Sequence, residues 1–183
     1  RLPMCLSARG HTAALPLAEG TKIFVDGLDA NEAKRYGSVV DSADQADVVV
    51  LYLPTIFNGN QVPGSDELMD QFLSTILPDD NLAFSAAVLD KAKVYSENAR
   101  LITVVDLNRP AILTELNQLS DGLIGTFGVY DSVLFEMIFG QFSPQGKLPF
   151  EIPSSMAAVM AQKEDLPDDS VAPTFIFGHG LSY

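Results

Sequence analysis

A chain of 183 residues, 47% of them hydrophobic, carries enough apolar side chain for one substantial core, and its length favours a single domain over residues 1–183. Its 24 acidic against 11 basic side chains give a formal net charge of −13, which repels phosphate backbones and anionic lipid surfaces, so neither nucleic acid nor a membrane is expected as a partner. Cys5 is the only cysteine, so no internal disulfide forms and the redox compartment stays open.

The sequence opens at Arg1 without a basic-then-apolar leader, which reads as a processed or excised fragment. Lys22-Ile23-Phe24-Val25 predicts a first strand closed by Asp26-Gly27, with a short helix over Ala30 to Tyr36 ended by Gly37. Val48 to Leu53 is a continuous apolar run stopped by Pro54, the pattern of a strand buried on both faces of a parallel sheet. Thr55 to Ser65 has loop composition, and it leaves the C-terminal end of that strand, where clefts form in open α/β sheets. Asp66 to Ile76 and Ser85 to Tyr95 predict amphipathic helices, and Leu101 to Val105 the next buried strand.

Pro110 suits the first turn of a helix running to about Leu119, and Leu123 to Phe127 predicts a further strand. Asp131 or Ser132 then caps a helix whose Val133, Leu134, Met137 and Ile138 face inward, with Gly140 as a left-handed C-terminal cap. The last part, with Pro149, Pro153, Pro167 and Pro173, reads as mostly irregular, ending in an edge strand over Thr174 to Phe177. Strands alternating with helices predict an α/β fold, a mostly parallel sheet with helices on both faces in three layers.

Several short motifs follow one another along the chain. They are Ala14-Leu15-Pro16-Leu17, Ala46-Asp47-Val48-Val49-Val50, Asn108-Arg109-Pro110, Phe139 to Pro149 with its Gly146-Lys147-Leu148-Pro149 end, and Phe177-Gly178-His179-Gly180-Leu181-Ser182-Tyr183. In this order they resemble the C-terminal α/β sandwich domain of family 3 glycoside hydrolases of the β-glucosidase type. The last two are the specific ones, since each fixes many positions in a short stretch. Physically they read as loop-shaping: Gly146 is expected at positive φ, and Gly178 and Gly180 allow a tight path around His179.

The resemblance implies hydrolysis of O-glycosyl bonds in β-linked sugars, no cofactor, and a periplasmic or secreted setting. It also implies an N-terminal barrel as partner, which carries the nucleophilic Asp of the family and is not in this sequence. Retaining hydrolysis needs a second carboxyl group as general acid/base. In the family this is a Glu in the loop after the strand matching Val48 to Leu53, but no glutamate precedes Asp66 in Pro54 to Ser65.

Three readings stay open. Asp66 or Glu67 substitutes as acid/base; the group comes from the barrel or from His179; or the domain only shapes a sugar subsite. The plainer role of Asp66 and Glu67 is capping and charging a helix N-terminus. Phe57, Asn58, Tyr130 and His179 are the candidate sugar contacts, although a lone histidine more often satisfies a neighbouring carbonyl. His11, His179 and Cys5 lack metal-site spacing, so no metal is expected, and Asp79-Asp80 and Asp168-Asp169 read as turns. A non-catalytic carbohydrate-binding or accessory domain packed on the barrel is the alternative function.

Overall fold

The structure is a computed structural model and describes residues 3–8, 14–56, 81–163, 165–166 and 168–183. Among them, six strands make one sheet: β1 (Met4–Ala8), β2 (Lys22–Asp26), β3 (Ser38–Val39), β4 (Val48–Leu53), β5 (Arg100–Asp106) and β6 (Gly122–Thr126). Their spatial order is β1-β6-β5-β4-β2-β3. Strands β2 to β6 run parallel to their neighbours, and β1 closes one edge antiparallel to β6, with Met4 opposite Gly125.

The helices are α1 (Ala30–Ala33), α2 (Ala86–Asn98), α3 (Thr114–Leu119), α4 (Asp131–Ile138) and α5 (Met156–Ala161). Strand residues alternate between two cores. Val49, Leu51, Leu101, Val105 and Leu123 pack with Ala92 of α2 and Leu116 of α3, while Val48, Val50, Ile102, Val104 and Ile124 pack with Ala33 of α1 and Phe135 of α4. The central strands are apolar on both faces because both faces are covered. Each of the valine, leucine, isoleucine and phenylalanine side chains among them contributes about 1.5–3 kcal/mol by leaving water. No helix among the described residues is long and apolar enough to cross a membrane.

Several expectations need correction. The helix expected from Pro110 starts at Thr114, because Ala111 and Leu113 are buried ahead of it and the Ile112 amide donates to the Leu82 carbonyl at 2.8 Å, drawing this stretch into a bridge with residues 82–83. Neither Asp131 nor Ser132 caps α4. Tyr130 occupies the cap without a side-chain hydrogen bond, and Asp131 instead accepts from the Asp29 amide at 2.7 Å. Thr174 to Phe177 is not a strand: only Phe175 forms a bridge, with Ile152.

Gly140 and Gly178 adopt φ of 75°, whereas Gly146 is not in the left-handed region. Its backbone is instead crowded by Gly180, where a Cβ would collide with the Gly146 carbonyl oxygen. Asp168 does sit in a turn, at φ 60°. The pair Asp79-Asp80, His11 and the helix expected over 66–76 lie outside the described residues.

Candidate functional site

In open α/β sheets, ligands gather outside the carboxyl ends of the strands, where the strand order reverses. Here the order reverses between β2 and β4, the latter followed by Pro54, Thr55 and Ile56. Thr55 is buried, and its hydroxyl donates to the carbonyl of Asp106 at 3.2 Å, tying the exits of β4 and β5 together. Asp106 in turn holds its own loop, accepting from the Asn108 amide at 3.2 Å and from its Nδ2 at 3.0 Å.

Carboxylates gather along this edge. Burial first, then the charges of Asp106 and Asp131, hold the Tyr52 phenol above the ordinary range. Asp131 and Asp29 lie beside it, with the Asp29 side chain capping α1 through the Asn31 amide at 2.8 Å. On the opposite face Asp26 accepts from the Tyr95 hydroxyl at 2.9 Å and from Lys91 at 3.1 Å. Burial, with the Asp26 hydrogen bond and charge, pushes the Tyr95 phenol up to about 12.

A cleft of about 590 Å³ opens past the ends of β5 and β6, with Met4, Asn108, Phe127, Lys147 and Phe150 on its walls. Phe127 and Phe150 meet edge to face at 6.0 Å. The Lys147 ammonium donates to the Gly180 carbonyl. An amide, an ammonium and two aromatic rings around a cavity of this size suit a polar, ring-shaped ligand. The described walls of this cleft carry no carboxylate.

The candidate residues fall in three places. Phe57, Asn58, Asp66 and Glu67 lie outside the described residues. Tyr130 stands 85% exposed at the start of α4 and does not line the cleft. His179 stacks on Phe175 at 4.9 Å, and its Nε2 lies 2.7 Å from the Leu6 carbonyl oxygen. Because a carbonyl only accepts, that nitrogen carries the proton. Neither Tyr130 nor His179 is among the residues that line this cleft.

Asn108, Lys147, Phe127 and Phe150 escape a sequence reading, because their neighbours read as turn-forming motif residues. Their signal is position. Phe127 directly follows β6 and Asn108 comes two residues after the end of β5, where parallel sheets present side chains to ligands.

The family model for the glycosyl hydrolase family 3 C-terminal domain matches residues 26–183. Beta-glucosidase C of Emericella nidulans is 34% identical over 175 residues, covering 92% of this chain and 26% of that protein. A periplasmic beta-glucosidase/beta-xylosidase of Dickeya chrysanthemi is 36% identical over 172 residues, covering 92% of this chain and 25% of that protein. The chain thus spans about a quarter of the length of the curated relatives it matches. Among solved structures, beta-glucosidase 3B from Thermotoga neapolitana in complex with alpha-D-glucose superposes with a TM-score of 0.70 at 16% identity, covering 99% of this chain and 36% of that one. The Listeria innocua beta-glucosidase in complex with isofagomine gives 0.68 at 18% identity, covering 99% and 32%. These two likenesses concern the fold, and with the family match they lead to one statement: the chain belongs to the glycosyl hydrolase family 3 C-terminal domain family.

Proposed function

We propose that residues 1–183 form one domain of a β-glucosidase-like enzyme that hydrolyses O-glycosyl bonds of β-linked sugars. It supplies part of the sugar site and works with an N-terminal barrel of the same protein that carries the nucleophile. The observation that carries this reading is the 34–36% identity to β-glucosidases across 92% of the chain. The cleft of Asn108, Lys147 and Phe127 supports a share in sugar binding.

In this reading Asp66 or Glu67 is the general acid/base, in the segment that follows β4. Phe57, Asn58, Tyr130 and His179 contact the sugar. The division of labour follows from the chemistry, since two carboxyl groups must flank the bond while hydroxyl-binding groups hold the ring. The test is hydrolysis of 4-nitrophenyl β-glucoside by the chain alone and by the chain joined to its barrel. Turnover only in the joined protein is the expected result; turnover in neither form removes the enzymatic reading.

A second reading, a non-catalytic carbohydrate-binding domain on the same barrel, is favoured by one observation. No glutamate stands between Pro54 and Ser65, where the family places its acid/base. Sugar binding without turnover in the joined protein selects it.

A further inference from the structure

Helix α5, Met156-Ala157-Ala158-Val159-Met160-Ala161, carries no charged or hydrogen-bonding side chain apart from thioethers, yet none of its residues is buried. A helix apolar all round belongs inside a protein. Helix α4, also largely apolar, buries four residues against the sheet, whereas α5 lies on the surface. It is held there by Ser155, whose hydroxyl accepts from the Ala158 amide at 3.1 Å, and by Met156, whose sulfur accepts from the Leu82 amide at 3.3 Å. Met160 is left 79% exposed.

The exposed apolar surface continues past the helix. Gln162 Nε2 donates to Glu151 Oε1 at 2.9 Å, and the Ser170 amide donates to the same oxygen at 2.7 Å. The Lys163 amide donates to Asp169 Oδ2 at 3.2 Å, and the Leu166 amide to the Lys163 carbonyl at 3.2 Å. These bonds turn the chain back on itself, so that Val171, also 79% exposed, returns to the end of the helix with the exposed Leu166 in the turn between them. A cavity of about 510 Å³ opens here, with Val159, Leu166, Leu82 and Pro110 as apolar walls. Large apolar side chains gathered in water around such a cavity mark an interaction surface.

Two observations select the occupant. Glu151, Asp165 and Asp168 line the cavity against Lys163 alone, and the chain carries a net charge of −13, so a second copy would bring like charges together. The curated relatives are far longer than this chain, which covers 26% and 25% of two of them. Polypeptide tethered to the same molecule meets the patch at high effective concentration. We propose that α5 and the turn after it, through Met160, Leu166 and Val171, are the surface on which the remainder of the polypeptide packs, by an apolar face with cationic side chains at its rim. Phe150 borders both this cavity and the cleft of Asn108 and Lys147, so the packed partner also abuts that cleft. The inference rests on the reading of this chain as one domain of a longer enzyme.

The test is alkylation by iodoacetamide of Met160→Cys and Val171→Cys, in the 183-residue chain and in the chain joined to the rest of its protein, read by peptide mass spectrometry. Cys5, the only native cysteine of this chain, is buried and does not compete. Both introduced thiols react freely in the chain alone and about tenfold or more slowly in the joined protein. Val94→Cys, exposed on α2, reacts alike in both. Val171→Asp leaves the unfolding midpoint of the chain unchanged, because that side chain is already in water, and it restores reactivity to Met160→Cys in the joined protein by placing a charge in an apolar contact. Equal rates at both positions in the two proteins overturn the proposal. So does protection in the chain alone that deepens with concentration, which assigns the surface to a second copy. Alkylation does not depend on turnover, so a protected patch in an inactive joined protein removes the enzymatic reading and keeps this one.

Discussion

Leu148 and His179 are joined through their backbones: the Leu148 amide donates to the His179 carbonyl at 2.9 Å, and the Leu148 carbonyl accepts from the Gly178 amide at 2.9 Å. The two motifs most specific to the family, far apart in sequence, therefore form one unit. From it the tail runs on over β1, where the Leu181 amide donates to the Cys5 carbonyl at 2.8 Å. The Tyr183 hydroxyl ends on the Met137 carbonyl at the last turn of α4. Gly180 is required because backbone meets backbone there with no room for a side chain, and Gly178 because its φ is 75°.

Gly180 is the tightest point of this junction, since an added Cβ meets the Gly146 carbonyl oxygen and lies 3.1 Å from Lys147 Cδ. Gly180→Ala is expected to lower stability by about 1–3 kcal/mol, the usual cost of overpacking. Urea unfolding followed by circular dichroism measures it. An unchanged midpoint contradicts the close packing described.

Cys5 reports on the same tail. Its thiol is fully buried, and burial pushes its pKa up to about 11. Only the thiolate is nucleophilic, so Cys5 is expected to resist a disulfide-exchange reagent at pH 8 while folded and to react at once in denaturant. Removing residues 179–183 strips the segment paired with Cys5 and is expected to speed the reaction in native buffer. Equal rates in native and denatured protein would show that β1 is not covered as described.

Tyr95 and Asp26 predict a loss of stability in alkali. Burial, then the Asp26 hydrogen bond and charge, raise the Tyr95 phenol to about 12, against about 10 for an unfolded tyrosine. A pKa raised by folding means that the neutral phenol is favoured in the native state. Its contribution is complete below pH of about 10 and is lost as pH rises toward 12. Tyr95→Phe is expected to flatten stability over that window, and Asp26→Asn to bring the Tyr95 ionisation, followed by ultraviolet absorbance, to lower pH. A Tyr95 titration unmoved by Asp26→Asn contradicts the coupling.

The sequence shows the sheet core plainly because buried parallel strands leave long apolar runs, as at Val48 to Leu53 and Leu101 to Val105. Strand β1, Met4 to Ala8, escapes notice because it contains no β-branched residue, although Met4, Cys5 and Leu6 are all buried. Helix α5 was legible in principle, since the Ser155 side chain accepts from the Ala158 amide at 3.1 Å, an ordinary N-cap. Prolines around it hid the signal.

Pro110 misleads for a physical reason: pairing of Ile112 with Ala83 outweighs the local preference for a helical first turn. Of the site, the motif glycines were visible and their partners were not. Gly140, at φ 75°, lies where a Cβ would come 2.7 Å from Pro16, a contact between residues more than a hundred positions apart. Asn108 and Lys147 share a cleft for the same reason, through the topology of the sheet.

The measurement that bears most directly on the proposed function uses the chain joined to its barrel and compares two substrates, 2,4-dinitrophenyl β-glucoside, whose leaving group needs no protonation, and methyl β-glucoside, whose leaving group does. If this domain supplies the general acid, Asp66→Asn or Glu67→Gln lowers turnover of the methyl glucoside by about 10²–10⁴-fold and leaves cleavage of the dinitrophenyl glucoside far less affected. Undiminished turnover of both substrates in both variants contradicts a general acid at these positions, and no turnover of either substrate by the unsubstituted joined protein contradicts the enzyme itself.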